Sequence, residues 1–267
     1  MFDTSGKSTT ALRAQTLPAA AIDEQCRIQM YGLLAAHYRA TAEEAFLRDL
    51  AEKDWVVLLH TAAGALKGFS TLKLYRSGLR DSGSTVRVLF SGDTVIDRAY
   101  WGTQALAFEW IRFAGTLKGR DTTAPLYWFL ISKGHRTYRY LSAFARDYWP
   151  HFGRMTPLEG KALMDGLAHE RFGPCYDPKR GIVCFPDSRG HLAPELAEIP
   201  SEDLRRPEVA FFLRANPGYR RGEELVCLTE LSTENLKPLA RRLFLKGLSA
   251  TTVSEDAHGA HELDRAA

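Results

Sequence analysis

The sequence predicts an α/β (α+β) fold: a mixed, mostly antiparallel sheet with flanking helices and a small C-terminal extension. Three observations carry this. Two long amphipathic helical stripes lie between residues 100 and 148. Short, strongly apolar strand segments surround them. The order along the chain is helix, helix, hairpin, strand, long helix, strand, long helix. Helical crossovers between strands put parallel neighbours in the middle of the sheet. The chain has 267 residues, of which 45% are hydrophobic and 25% charged. That balance can fill a complete core.

The elements follow in order. Residues 1–20 are rich in Ser, Thr and Ala and read as a disordered tail. Cys26 to Tyr38 carries Met30, Leu33 and Leu34 at helical spacing. Thr41 with Glu44 three residues on reads as a capping box opening a short helix. Trp55 to His60 is a buried strand, and Leu66 to Tyr75 is the second arm of a hairpin with it. Thr85 to Phe90 is the third strand. A long helix runs from Tyr100 to Lys118 with a stripe of Leu106, Trp110, Phe113 and Leu117. Leu126 to Ile131 is apolar on both faces, which marks a central strand. A second long helix runs from His135 to Tyr148 and is halted by Pro150.

Beyond this point the pattern loosens. Ile182 to Phe185 is a short strand, and 186–208 is a meandering, proline-containing connection. Pro207 to Ala215 is a helix, Glu224 to Leu228 a strand, and Ser232 to Leu245 a final helix stopped by Gly247. The predicted domains are a main unit at 21–185, an extension packed on it at 186–248, and a second disordered tail at 249–267.

Composition narrows the function. A net charge of +3 gives no ground for a nucleic-acid partner. The four cysteines form no CxxC pair, and no Cys/His cluster has metal-ligand spacing, so no metal is expected. Cys175 and Cys184 flank a turn and could face each other across a hairpin; otherwise the cysteines read as buried free thiols. No apolar run approaches the length of a membrane span and no secretory signal opens the chain, so the expected location is the cytoplasm.

Two segments carry chemistry: Val88 to Lys118 and Leu126 to Phe152. In the first, a strand ends in a polar stretch and then turns through Trp101-Gly102-Thr103-Gln104-Ala105, preceded by Arg98, into the long helix. This resembles the acyl-CoA-binding motif of the GNAT superfamily of acyltransferases, whose pattern is Arg/Gln-x-x-Gly-x-Gly/Ala. The resemblance covers roughly residues 25 to 155, and some of its features are similar to the N-acyl amino acid synthases. It departs from the pattern at Trp101, which replaces the leading Arg/Gln, and at Gln104, which replaces the second glycine.

The resemblance implies a sheet with a V-shaped central splay and an N-acyltransferase that moves an acyl group to an amine by direct transfer. The co-substrate would be acyl-CoA or the acyl-phosphopantetheine of an acyl carrier protein, gripped by amides at a helix N-terminus. Thr94, Val95, Arg98, Trp101, Gly102, Thr103, Gln104 and Ala105 would form that site. An exposed amide between Thr94 and Ile96 would receive the thioester carbonyl. Asp93 is the expected base, with Asp97 the alternative or a helix cap. Tyr138 is the expected acid, with Tyr140 on a different helix face packing on Phe144. His135 reads as a solvated loop histidine.

Basic side chains at Lys133, Arg136 and Arg139 and along Lys237 to Lys246 would suit an acidic carrier protein, CoA phosphates or an anionic membrane surface. The acceptor is expected to be a small-molecule amine. The rival reading is a GNAT-like fold used for binding or as a scaffold, without catalysis.

Overall fold

The computed structural model describes residues 11–81 and 83–263. In chain order the strands are β1 (Leu12–Pro18), β2 (Tyr38–Arg39), β3 (Trp55–Thr61), β4 (Leu66–Asp81), β5 (Ser84–Ile96), β6 (Leu126–Ser132), β7 (Tyr176–Asp177), β8 (Ile182–Val183), β9 (His191–Leu192) and β10 (Glu224–Glu230). The helices are α1 (Glu24–His37), α2 (Glu43–Ala51), α3 (Ala105–Gly119), α4 (His135–Phe144), α5 (Leu158–Phe172), α6 (Pro194–Ala197), α7 (Ser201–Leu204), α8 (Pro207–Ala215) and α9 (Pro238–Leu263).

Eight strands form one sheet in the order β1-β3-β4-β5-β6-β10-β8-β7, and β2 pairs with β9 apart from it. β5 and β6 run parallel, while the other pairs are antiparallel. The mixed, mostly antiparallel sheet with flanking helices is therefore present, including the parallel pair at its centre. α3 is the crossover that makes the pair parallel.

Both faces of the sheet are covered, which explains why the central strands are continuous apolar runs. Leu126, Trp128 and Leu130 of β6 pack with Trp110, Ile111 and Ala114 of α3, and α4, α8 and α9 join the same core. On the opposite face Val56 and Leu58 of β3 pack under Met30 and Leu34 of α1 and Phe46 of α2. Phe129 of β6 and Val226 of β10 pack under Met164 and Leu167 of α5.

Several elements differ from the sequence reading. Leu12–Pro18 is not tail but an edge strand paired along its whole length with β3; residues 1–10 lie outside the described residues. Thr41 forms no capping box, because α2 begins at Glu43 with Ala42 at its cap and no side-chain cap bond. α3 begins at Ala105, since Asp97 caps a separate short turn at Arg98–Tyr100.

α4 ends at Phe144, where the chain turns extended and Trp149 exchanges backbone hydrogen bonds of 2.7 Å with Leu228. α5 has no counterpart in the reading. β10 does not pack on the sheet from outside: it enters the sheet between β6 and β8, so the segment 186–248 completes the main unit.

The backbone of α9 runs through Gly247 to Leu263, where a stop and a tail were expected. Gly247 is a contact residue. A β-carbon there would overlap the Arg112 carbonyl of α3, and one at Gly115 would overlap the Phe244 carbonyl of α9. Two facing glycines let the helices approach closely. The four cysteines are free; Cys227 is buried, Cys184 is exposed, and the other two are half-buried, so burial holds for one of the four. Cys184 does face Cys175 across the β7–β8 hairpin, through a backbone N–H to carbonyl bond of 2.8 Å. Among the described residues no helix is long and apolar enough to cross a membrane.

Candidate functional site

The site begins where the parallel pair stops. β5 and β6 are in register from Arg87↔Leu126 to Ser91↔Leu130. There the β4–β5 register shifts, between Ser70 and Leu72. Beyond the shift β5 stays with β4, as Thr94↔Ser70, Val95↔Phe69 and Ile96↔Gly68. β6 goes the other way, with Ile131↔Val226 and Ser132↔Leu225 in β10. The central strands therefore part beyond Ser91 and Leu130, which is the expected splay.

Backbone direction in the gap follows from strand alternation. The Asp97 amide donates to the Lys67 carbonyl at 2.9 Å. By alternation, Thr94 and Ile96 direct their backbone groups away from β4 and into the gap. The Ile96 carbonyl is taken there by the Trp101 indole N–H at 2.9 Å. Among the described residues no strand pairs with Thr94 on that side, since the β5–β6 register ends at Ser91.

On the α3 side the gap opens into an apolar slot lined by Thr94, Leu106, Ala107, Trp110, Trp128 and Tyr140. Trp110 and Trp128 lie 4.6 Å apart between ring centres, and the Trp128 indole donates to the Ser91 hydroxyl at 2.8 Å. The rings leave about 30 Å3 free, room for a water or two. Beside Ile96, Trp101 lies under the Arg136 guanidinium, 3.9 Å from the ring centre, with Arg98 at 5.8 Å.

On the opposite face lies a cleft of about 720 Å3. Gly92 and Ile131 line both the slot and the cleft, so the parted strands form their common wall. Gly92 suits this place, since a β-carbon would meet the Thr71 hydroxyl at 2.5 Å and the Lys53 side chain at 2.8 Å.

The cleft floor holds Tyr38, Asp93, Lys133 and Glu224. Lys133 pairs with Glu224 at 3.4 Å, donates to the Arg189 carbonyl at 2.8 Å, and sits 5.6 Å from the Tyr38 ring centre. The Asp93 carboxylate makes no hydrogen bond or ion pair among the described residues. Burial pushes its carboxyl above the usual range, Lys133 works against that, and Asp49 adds to it. Burial likewise raises Glu224 against the pull of Lys133, with Asp93 contributing repulsion. Two carboxyls thus crowd one lysine, whose ion pair is with Glu224.

Not every expected site residue reaches this junction. Thr94 lines the slot, but Val95 turns its side chain into the core beneath α1 and α2. Arg98 and Trp101 lie together beside Ile96, outside the residues that line the slot. Gly102 makes the turn with φ +93. The Trp101 and Thr103 amides are already taken, by Arg98 and Tyr100 carbonyls at 3.3 and 3.1 Å, and the Thr103 hydroxyl accepts from the Ala105 amide at 3.4 Å. Gln104 is exposed at the α3 cap position and makes no side-chain cap bond.

Asp97 is a structural cap. It accepts from the Ala99 amide and pairs with Lys67 at 3.1 Å; although burial opposes it, these partners hold its carboxyl low.

Tyr138 is corrected. It is 0% exposed, stacks on Phe211, and donates its hydroxyl to the Pro150 carbonyl at 2.8 Å. The α8 aromatics claim that face of α4, so Tyr138 is core and Tyr140, two residues on, lines the slot. His135 is also buried rather than solvated, and burial lowers it to about 4. Among the described residues no group of three or more His, Cys, Asp or Glu is placed to hold a metal ion.

No protein-family model matches the chain, and no curated protein matches it in sequence. Solved structures are similar to about half of it. A conserved protein of unknown function from Enterococcus faecalis V583, described as a probable N-acyltransferase, shares 14% identity over 52% of this chain and 33% of that one, with a TM-score of 0.39. This chain therefore spans about a third of that protein's length. A GNAT-family N-acetyltransferase from Escherichia coli in complex with CoA shares 15% over 50% and 69%, TM-score 0.35. Glucosamine-6-phosphate N-acetyltransferase from Arabidopsis thaliana shares 12% over 50% and 89%, TM-score 0.35. These are partial similarities of shape.

Proposed function

We propose that the chain is an N-acyltransferase that moves an acyl group from a thioester, acyl-CoA or acyl-phosphopantetheine, to an amine by direct transfer. One observation carries the reading: the parted β5 and β6 form the wall shared by an apolar slot and a charged cleft. A thioester in the slot and an amine in the cleft would meet at Gly92.

Each residue then has a role. The Thr94 amide, which faces the gap rather than β4, donates to the thioester oxygen as negative charge develops there. Asp93, beside the junction, accepts the proton that the attacking amine must lose. The N–C bond forms, the C–S bond breaks, and the thiolate leaves. Tyr140, which lines the slot, supplies a proton to the leaving sulfur in this reading, the role expected of Tyr138. Leu106, Trp110 and Trp128 suit the apolar acyl chain. Arg98 and Arg136, which flank the Trp101 ring, suit the phosphate groups of either donor.

A second reading has its own support. The slot is nearly filled, and Trp101 holds the Ile96 carbonyl that an extended ligand would otherwise use. A binding protein without catalysis would be built this way. The deciding experiment follows free thiol release from acyl-CoAs of several chain lengths and from acyl carrier protein, with a panel of amines. Thiol release that depends on the amine, with the amide product seen by mass spectrometry, supports transfer. Retention of an acyl-CoA without turnover across the panel supports binding alone.

A further inference from the structure

The cleft contains charges that its own neighbours do not satisfy. Several of its ionic side chains are paired: Lys133 with Glu224 at 3.4 Å, Lys53 with Asp49 at 2.6 Å, and Arg48 with Glu44 at 3.7 Å. Asp93 is not paired. Neither are Arg171 and Arg189, for which no carboxylate lies within ion-pair distance among the described residues.

Aromatic rings hold these two guanidiniums instead. Arg171 lies 3.9 Å from the Phe90 ring centre and 5.9 Å from those of Tyr75 and Phe172, and its buried Nε–H has no hydrogen-bond partner. Arg189, at the rim, lies 4.1 Å from the Phe185 ring centre. A ring face fixes a guanidinium and leaves its in-plane donors free, and those donors match a carboxylate or phosphate edge. A desolvated donor without a partner costs stability unless a ligand supplies the acceptor.

The opposite charge is close by. Phe90, which carries Arg171, and Asp93 lie on the same strand, and three residues of extended chain span roughly 10 Å. The cleft therefore offers an unpaired carboxylate and an unpaired guanidinium within the reach of one small molecule.

We propose that the cleft binds a zwitterion: a primary amine received by Asp93 and a separate carboxylate or phosphate received by Arg171 and Arg189. This rests on the acyl-transfer reading only in making that zwitterion the acceptor. The anion arm positions the amine at the wall beneath Gly92. An amine without an anionic group occupies half of the site.

The test uses calorimetric binding to the full chain without donor, followed by thiol release with acyl-CoA. The probes are glycine, γ-aminobutyrate and ε-aminocaproate for the carboxylate, phosphoethanolamine for the phosphate, and butylamine and butyrate as half-ligands. At least one zwitterion should bind about tenfold or more tighter than either half-ligand. Arg171→Gln should reduce that zwitterion to the butylamine level while leaving butylamine unchanged, and Arg171→Lys should restore part of the gain. Arg189→Gln, at the exposed rim, gives the same comparison without altering the aromatic cluster under Arg171.

The carboxylate and phosphate probes identify which anion is preferred. Equal binding of butylamine and every zwitterion, or an unchanged ratio in both arginine variants, overturns the proposal. The two readings fail separately. Acylation of butylamine as fast as of the zwitterions sinks the zwitterion and leaves transfer standing. Arginine-dependent zwitterion binding with no thiol released from any donor sinks transfer and leaves the zwitterion site standing.

Discussion

The two sides of the parted strands are chemically opposite although one wall serves both. The slot is apolar, built from Trp110, Trp128 and Leu106, and is almost full at about 30 Å3. The cleft is ionic, opens to about 720 Å3, and keeps unpaired charges. An apolar site can be held closed by its own rings and opened by a ligand that replaces their contacts. An ionic site cannot close in this way, because collapse would desolvate charges without partners. The contrast predicts that ligands of the slot are selected by length and shape, and ligands of the cleft by charge.

The largest expected effect is on the cleft side. Asp93→Asn should lower kcat roughly a hundredfold or more, the scale of a lost general base. The wild-type rate should fall as pH drops, because only the ionised carboxyl accepts a proton. The midpoint should lie above the ordinary carboxylate value, since burial raises Asp93. In Asp93→Asn this acid limb should disappear; an unchanged limb would remove Asp93 from the chemistry.

Next comes the slot. Ala107→Phe fills the remaining space and should raise the donor KM about tenfold or more, at a stability cost of about 1–3 kcal/mol. Butylamine and zwitterion binding should not change. If acceptor binding fell equally, slot and cleft would not be independent.

The smallest pair of effects separates two tyrosines. Tyr140→Phe should lower kcat about tenfold with little change in Tm, as expected for a lost proton donor. Tyr138→Phe should leave kcat unchanged and cost about 1 kcal/mol of stability through the unpaired Pro150 carbonyl. The reverse pattern would place the chemistry on the α8 side of α4.

These tyrosines show where sequence reading stops. Helical spacing separates Tyr138 from Tyr140 but does not say which face is covered. Phe211 and Phe212 decide that from far along the chain. β3 and β6 were legible because burial on both faces leaves a continuous apolar run. β1 was not, because only alternate residues such as Leu12 and Ala14 are covered while Arg13 and Gln15 face out, and the strand adjoins a Ser- and Thr-rich stretch that reads as tail. α5 was missed because its buried residues, Met164, Leu167 and Ala168, form a narrow stripe among charged neighbours.

Part of the site was legible. Asp93, Thr94 and the Trp101 turn follow from one segment. The cleft floor joins Tyr38, Asp93, Lys133 and Glu224, which meet only when strand order is known. Arg171 stands on the missed helix. Its signal, a cation beside Phe172 with no obvious acidic neighbour on its helix face, is common on any surface and would not have singled it out.

β10 adds a consequence for how the chain matures. β6 lies at the centre of the molecule, yet one of its edges is completed only by residues Glu224–Glu230. During synthesis the first 132 residues can leave the ribosome with that edge open, exposing unpaired amides and carbonyls beside an apolar face. Nearly a hundred further residues must follow before the seam closes. A truncation just before Glu224 would therefore leave a sticky, half-built sheet rather than a smaller intact fold.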